Sequence, residues 1–399
     1  MHDNRYPQPV INLFPDSSFG YCAVTLTTGN ETLDDGVVVT DRSVTDLDAL
    51  VGTTKRTVEG FRVEAGKVDE FARAVGDDDP AHRSAAAAER RGFPAVPAPL
   101  TFPRVSSFAR YRVDAFDLGF DPQFVLHGEH RYAYDRPLYA GDDLHGDTTL
   151  TDGYRREGRR GGTMTFAEFT TEYRTADGER VLTEAATTIE TEGAAADDES
   201  DDDRTEHTDA TAADEPSGAE SATRPGSGAP PTDETAADLV GLPVRSGVDD
   251  GTTAPAPTPP GTLAVGDEGP AVSVGPLARQ DFVRYAGASG DFNPIHYDEP
   301  YATNAGHPSV FGQGMLTAGV AAHAVTEFVG LRAVRSFGVR FRSRVWPGDV
   351  LTATTRVVAP DDHDGPVPTD GVGLAVTVDR ETGGTVLTGT ATAGPPDTR

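Results

Sequence analysis

The sequence predicts an α+β protein built from two similar halves. Three observations carry that reading. From Ala194 to Asp238 there is no Val, Ile, Leu, Met, Phe, Trp or Tyr, so the chain is divided near its middle by a stretch that cannot build a core. On either side of it two motifs recur in the same order. Gly76-Asp77-Asp78-Asp79-Pro80-Ala81-His82 matches Gly290-Asp291-Phe292-Asn293-Pro294-Ile295-His296, and Arg136-Pro137-Leu138-Tyr139-Ala140-Gly141-Asp142 matches Arg344-Val345-Trp346-Pro347-Gly348-Asp349. Two collinear matches point to duplication of one unit. In each half, helical periodicity comes first and alternating strands follow.

Taken in order, residues 1–46 hold Pro7, Pro9 and Pro15 with only weak strand-like pieces, and read as a poorly ordered leader. Residues 47–193 form the first unit. An amphipathic helix ends at Gly76-Asp77, an Asp-Pro-His turn comes next, then a second helical stretch, then strands such as Arg131-Tyr132-Ala133-Tyr134. Residues 194–260, acidic and then proline-rich, read as a disordered linker, because they offer too little apolar area to offset the entropy of ordering them. Residues 261–399 repeat the first unit. Their second helix, about residues 317–328, is small and apolar on nearly all sides and so belongs inside a sheet. A strand follows from Leu351.

Composition excludes several classes. The chain has 399 residues with 64 acids against 34 bases, a net charge of −30 that repels nucleic-acid phosphates. The single cysteine, Cys22, cannot close an internal disulfide. There is no zinc-like Cys/His spacing and no run of about 20 apolar residues to span a bilayer. No secretory signal is evident, so a cytoplasmic protein is expected. Only Lys55 and Lys67 are lysine, and the other 32 bases are arginine. Residues 194–237 hold 13 acids and 2 arginines, which leaves −19 of the −30 on the rest of the chain. Acidity spread in this way fits a cytoplasm of molar salt, where screening acts over about 3 Å.

The chemistry concentrates in Tyr285-Ala286-Gly287-Ala288-Ser289-Gly290-Asp291-Phe292-Asn293-Pro294-Ile295-His296, with Ala302 six residues on. Pro294 stops the preceding helix, and Asn293 suits a backbone-capping turn. Asp291 and His296 therefore project from a rigid non-helical segment. A carboxylate and an imidazole that share one water can move protons on and off it. Behind them, Val310-Phe311-Gly312-Gln313-Gly314-Met315-Leu316-Thr317 opens the buried helix, where free N–H groups and the helix dipole favour a developing negative charge.

This stretch resembles the signature of the MaoC-like, or hydratase 2, family, and the first half resembles the FAS1-like dehydratase domain of its two-domain members. The resemblance implies a double hot-dog fold, in which each unit wraps a curved antiparallel sheet around a long helix and the two units form an internal pseudo-dimer. It implies hydration of a trans-2-enoyl thioester to an (R)-3-hydroxyacyl thioester, or the reverse. Asp291 and His296 would hold and activate the water, and the Gly314 N–H would polarise the thioester carbonyl. Ser289, Gly290, Asn293 and Pro294 would support the catalytic turn. No metal or redox cofactor is expected, with CoA present as part of the substrate. The partners expected are an acyl-CoA thioester and no nucleic acid or membrane, in a monomer or homodimer.

In the first half, Asp77 and His82 keep the spacing, but Asp79 replaces the Asn, and two prolines fall in Val96-Pro97-Ala98-Pro99-Leu100-Thr101. This half is expected mainly to shape the acyl or CoA pocket, with Asp77 and His82 as a second or degenerate site. His127, His130, His145 and His323 read as ordinary structural or surface histidines. Arg136 and Arg344 read as structural, and the arginines within 155–160 as a solvated turn. Three rivals stand beside the enoyl-CoA reading: mesaconyl-CoA as a branched dicarboxylyl substrate, an acyl-carrier-protein substrate, and a non-catalytic thioester-binding module.

Overall fold

The computed structural model of the chain describes residues 47–121, 124–157, 162–191, 244–246, 256–363 and 365–395. The leader, most of the stretch 192–255 and part of the arginine-rich hairpin tip lie outside the described residues.

The first half runs β1 (Thr54–Arg62), α1 (Ala65–Ala74), α2 (Ala85–Arg90), β2 (Val125–Tyr134), β3 (Asp143–Glu157), β4 (Thr163–Thr175) and β5 (Arg180–Thr191). After a short β6 (Val244–Ser246), the second half runs β7 (Val272–Val274), α3 (Arg279–Ser289), α4 (Glu299–Asn304), α5 (Gly314–Val329), β8 (Val334–Phe341), β9 (Leu351–Val358), β10 (Val372–Arg380) and β11 (Thr385–Ala393). All the strands join one 11-stranded antiparallel sheet in the order β1-β3-β4-β5-β2-β8-β11-β10-β9-β7-β6. Set aside β6, and the order reads the same from either end. Each half contributes one five-stranded hot-dog sheet, and the halves meet through β2 and β8, with Glu129 opposite Arg340 and Tyr132 opposite Phe337. The double hot-dog architecture expected from the sequence is the one observed.

Helix α5 sits in the hollow of this sheet. Met315 to Val325 are buried without a break, because Ala, Gly and Val leave no bulky polar face to keep in water. Gly319 meets the first half so closely that a Cβ there would lie 2.4 Å from Cγ1 of Val75, just past the end of α1. The absence of that one carbon lets the halves pack together.

Two expectations need correction. The long helix implied for each unit is present only in the second half. The first half has instead a 3-10 turn, Phe102–Ser107, with Pro103 at its start. Phe108 is already extended, and the chain then runs along β1, where Glu59 N–H donates to the Tyr111 carbonyl and Val113 N–H to the Thr57 carbonyl. An unfilled strand edge has captured the residues that would have continued the helix. The stretch 194–260 is also not linker to its end. Val244–Ser246 pairs with Val272–Val274 as an added edge strand. Thr258 N–H donates to the Phe328 carbonyl, and Pro260 is buried. No helix among the described residues is long and apolar enough to cross a membrane.

Gly319→Val should overpack the contact with Val75 and cost about 1–3 kcal/mol. Thermal unfolding should report a lower midpoint than for Ala322→Val, a substitution of similar size on the same helix.

Candidate active site

The two Asp/His turns are built alike. Each follows a helix that ends at a glycine in the left-handed region, Gly76 at φ 73° and Gly290 at φ 93°, where any side chain would be strained. A proline, Pro80 or Pro294, then opens one 3-10 turn. The residue before it caps that turn. The Asp79 Oδ1 accepts from Ala81 N–H at 2.8 Å, and the Asn293 Oδ1 accepts from Ile295 N–H at 3.2 Å. The exchange of Asn for Asp in the first half therefore preserves the cap.

In each half the histidine Nδ1 meets a main-chain carbonyl 15 residues on, His82 to Pro97 and His296 to Phe311, both at 2.8 Å. A carbonyl only accepts, so Nδ1 carries the proton and Nε2 is the nitrogen left for chemistry. The match continues downstream. Ala98 N–H donates to Leu138 and Gly312 N–H to Val345, both at 2.9 Å. Phe102 N–H likewise donates to Pro99, as Leu316 N–H does to Gln313. Pro97 and Pro99 thus occupy the places of Phe311 and Gln313, and Leu100 keeps the N–H that corresponds to Gly314. The first half has not lost its donor.

What separates the halves is the state of the Asp/His pair. In the first half His82 Nε2 lies 3.2 Å from Asp77 Oδ2, and the two residues are 2% and 3% exposed. Burial opposes charge on both. The mutual attraction outweighs it, holding the Asp77 carboxyl well below the usual carboxylate range and raising His82 above 6.5. His82 is engaged at both ring nitrogens, Nδ1 by the Pro97 carbonyl and Nε2 by Asp77.

In the second half Asp291 and His296 are each 8% exposed, and no bond joins their side chains among the described residues. Burial pushes His296 below 6.5, with the Asp291 charge and the Phe311 carbonyl offsetting part of the effect. Burial thus favours the neutral form of His296, and no hydrogen-bond partner of its Nε2 is found among the described residues. The side chains are bonded to each other in the first pair and not in the second.

The surroundings fix the second turn. Ser289 Oγ accepts from Asp291 N–H at 3.1 Å and donates to the Tyr285 carbonyl at 2.7 Å. Gln313, 1% exposed, donates from Nε2 to the carbonyls of Phe282 at 3.1 Å and Asp291 at 3.5 Å, tying the start of α5 to the turn. Gly314 opens α5 with an N–H that has no acceptor in its own helix. A Cβ there would lie 3.1 Å from the Phe341 ring. Gly312 is glycine for packing, because a Cβ would come within 2.6 Å of Val345.

Each turn also meets the opposite half. His323 of α5 faces the first pair, 3.9 Å from Asp77 Oδ1, 3.8 Å from Asp78 Oδ1 and 3.9 Å from Glu327 Oε2. Facing the second pair are first-half residues. Phe108 lies where a Cβ on Gly290 would be, 2.8 Å away. Arg104 and His127 stand behind Phe108, in contact at 3.3 Å. Sequence reasoning passed over Gln313 and Arg104 and gave His127 an ordinary role. Gln313 lies within the glycine-rich start of α5 and could have been found there, whereas Arg104 and His127 lie on elements distant in sequence and carry no local pattern. Arg136 is structural as expected, paired through two bonds with Asp142. Arg344 differs. Arg380 pairs with Asp349 in the second half, and the Arg344 guanidinium lies 5.2 Å over the Phe311 ring. Arg156 stacks on Tyr154 and Phe166.

Two family models match the sequence, the FAS1-like dehydratase domain region over residues 49–184 and the MaoC-like domain over residues 264–376. A solved structure described as a MaoC-like dehydratase is 27% identical with a TM-score of 0.63, covering 87% of this chain and 99% of that one. The chain belongs to the MaoC-like dehydratase family. Its first half is of the FAS1-like type and its second of the MaoC-like type. A UPF0336 protein of Mycobacterium tuberculosis (strain CDC 1551 / Oshkosh) is 32% identical over 163 residues, 40% of this chain and 93% of that protein. A Mycobacterium tuberculosis protein described as having a double hotdog fold shares the architecture, at 15% identity and a TM-score of 0.50, over 87% of this chain and 97% of that one.

For this MaoC-like protein the buried Asp77–His82 pair makes a pH-dependent contribution to stability. The raised His82 value makes that contribution full below the unfolded imidazole pKa and lost as pH rises through the folded value. The lowered Asp77 value makes it full above the unfolded carboxyl pKa and lost in strong acid. Asp77→Asn should cost about 3–5 kcal/mol near pH 6. Thermal midpoints between about pH 6 and 9 should fall for the wild type and stay flatter for the variant.

Proposed function

We propose that the chain hydrates trans-2-enoyl-CoA reversibly to (R)-3-hydroxyacyl-CoA at the Asp291/His296 turn. The observation that carries this reading is the contrast between the pairs. His82 Nε2 is bonded to its aspartate, whereas His296 Nε2 has no such bond, burial favours its neutral form, and its Nδ1 is tied to Phe311, three residues before the Gly314 N–H that opens α5.

The steps follow from that geometry. Asp291 accepts one O–H of a water, and His296 Nε2 takes the other proton as the water oxygen bonds to the β-carbon. The double-bond electrons shift toward the α-carbon and the thioester oxygen, where the Gly314 N–H stabilises the charge. Preorganised donors of this kind are worth about 2.7–4 kcal/mol in the transition state. The proton held by the pair then passes to the α-carbon, and the water has been added across the bond. The chain's own acid/base groups and main-chain dipole supply these roles.

CoA is preferred over a carrier protein as the thioester handle, because an acidic carrier would meet a chain of net charge −30. Pervasive acidity with two lysines supports a salt-rich cytoplasm as the setting. On that reading the thermal midpoint rises markedly between about 0.1 and 3 M KCl, as like-charge repulsion is screened.

Turnover is read as loss of enoyl-thioester absorbance in molar KCl. Asp291→Asn should lower kcat about 10²–10⁴-fold, the range for removing an acid/base group. Asp77→Ala, if folded, should retain far more activity, and equal losses in the two variants would defeat the one-site reading. The acid limb of kcat/KM should fall below 6.5, because His296 must be neutral to accept a proton and its pKa is lowered. A limb above 6.5 would exclude His296 as the base.

A further inference from the structure

Strand β2 carries an extra residue between His127 and His130. His127 lies opposite Thr188 and His130 opposite Ala186, so β2 takes one step more than β5 over this stretch. A bulge of this kind re-aims a side chain. His127 thereby joins the face of β2 that buries His130, Tyr132 and Tyr134. Gly128 takes the other face, where a Cβ would lie 2.7 Å from Cδ1 of Ile189. Strand β8 has the same bulge, with Val334 opposite Ala393 and Ser336 opposite Thr392. The two strands also pair with each other about a two-fold, Glu129 with Arg340 and Ala133 with Ser336, which makes Glu129 and Ser336 counterparts. His127 and Val334, each two residues earlier, are therefore counterparts as well.

Val334 and Leu331 of the second half form part of the wall of a cavity at Leu100, the residue whose N–H corresponds to that of Gly314. By the two-fold, the matching place on the wall of the second half's site, facing the Gly314 N–H, belongs to His127. There an imidazole replaces an apolar side chain. The His127 Nε2 lies 3.3 Å from Nη2 of Arg104, and a guanidinium only donates, so Nε2 accepts and Nδ1 carries the ring proton. Burial, with the charges of Arg104, His130 and His296, favours that uncharged form. His127 is half-buried, and no partner of its Nδ1–H is found among the described residues. A fixed side-chain donor and a helix-start N–H thus share one desolvated space, which is what a developing oxyanion requires.

We propose that the Nδ1–H of His127 donates to the thioester carbonyl oxygen together with the Gly314 N–H, so that the first half supplies a catalytic residue to the second half's site. This rests on the hydration reading above and adds a donor to its transition state.

The test reads the carbonyl directly. Butyryl-CoA, a saturated thioester that cannot be hydrated, carries an isotope label at its carbonyl, and the infrared band of that group is followed on binding in molar KCl. In the wild type the band should move to lower frequency. His127→Val installs the counterpart residue of the other half. It should lose much of that movement and should lower kcat for crotonyl-CoA about 100-fold with little change in KM, the loss typical of one oxyanion donor. His127→Asn, whose amide nitrogen can stand where Nδ1 does, should recover part of both. A band as far shifted in His127→Val as in the wild type, with butyryl-CoA bound, would assign the histidine a merely structural role and overturn the proposal. So would a wild type that binds butyryl-CoA without any movement of the band, or does not bind it at all, and either result decides the matter even where a variant does not fold. If the shift depends on His127 but crotonyl-CoA is not turned over, the donor stands and the hydration reading fails.

Discussion

The chemistry of both turns hangs on one bond, from a histidine Nδ1–H to a main-chain carbonyl 15 residues on. It fixes the ring's tautomer and aims Nε2 at the aspartate side of the turn. It also joins the turn to the segment that opens the next helix, so the imidazole and the N–H donors are positioned by the same strut. A ring held only by packing could rotate or shift its proton, and the pair would lose its definition. Because the strut is common to both halves, the difference between them lies in what happens at Nε2.

There, burial and distance set the state of each pair. An aspartate within 3.2 Å of a nearly sealed imidazole occupies its Nε2 and raises its pKa, so that nitrogen is not left open. A slightly more open pair without direct contact leaves burial as the dominant influence, and burial favours the neutral ring. The duplicated sequence element has thus become a bonded pair in one half and an unbonded pair in the other, with no change of residue type at either position.

Loss of the long helix from the first half has a similar double effect. The 3-10 turn ends early and the chain is diverted to the edge of β1. The space beside the second site is then lined by first-half side chains, Phe108, Arg104 and His127 among them. In the mirrored location the second half keeps α5, whose His323 closes over Asp77. One half gives up a helix and furnishes the wall of a site. The other keeps its helix and covers the bonded pair.

Local features were legible from the sequence because their causes are local. A left-handed glycine, a capping Asp or Asn and a proline within seven residues build the turn wherever it occurs, so Asp291 and His296 could be placed together without coordinates. The small, apolar run from residue 315 likewise announced a buried helix, and the repeated motifs announced two units. Composition misled at residues 244–246, where three residues pair as an edge strand after a long acidic stretch. Backbone pairing of that kind asks little of side chains. The first half's missing helix, the opposite pKa shifts of His82 and His296 and the meeting of Arg104 with His127 were decided only by the tertiary structure. Each depends on which distant side chains share a desolvated space, and the strength of a charge interaction there is set by separation and burial, which residue order alone does not determine.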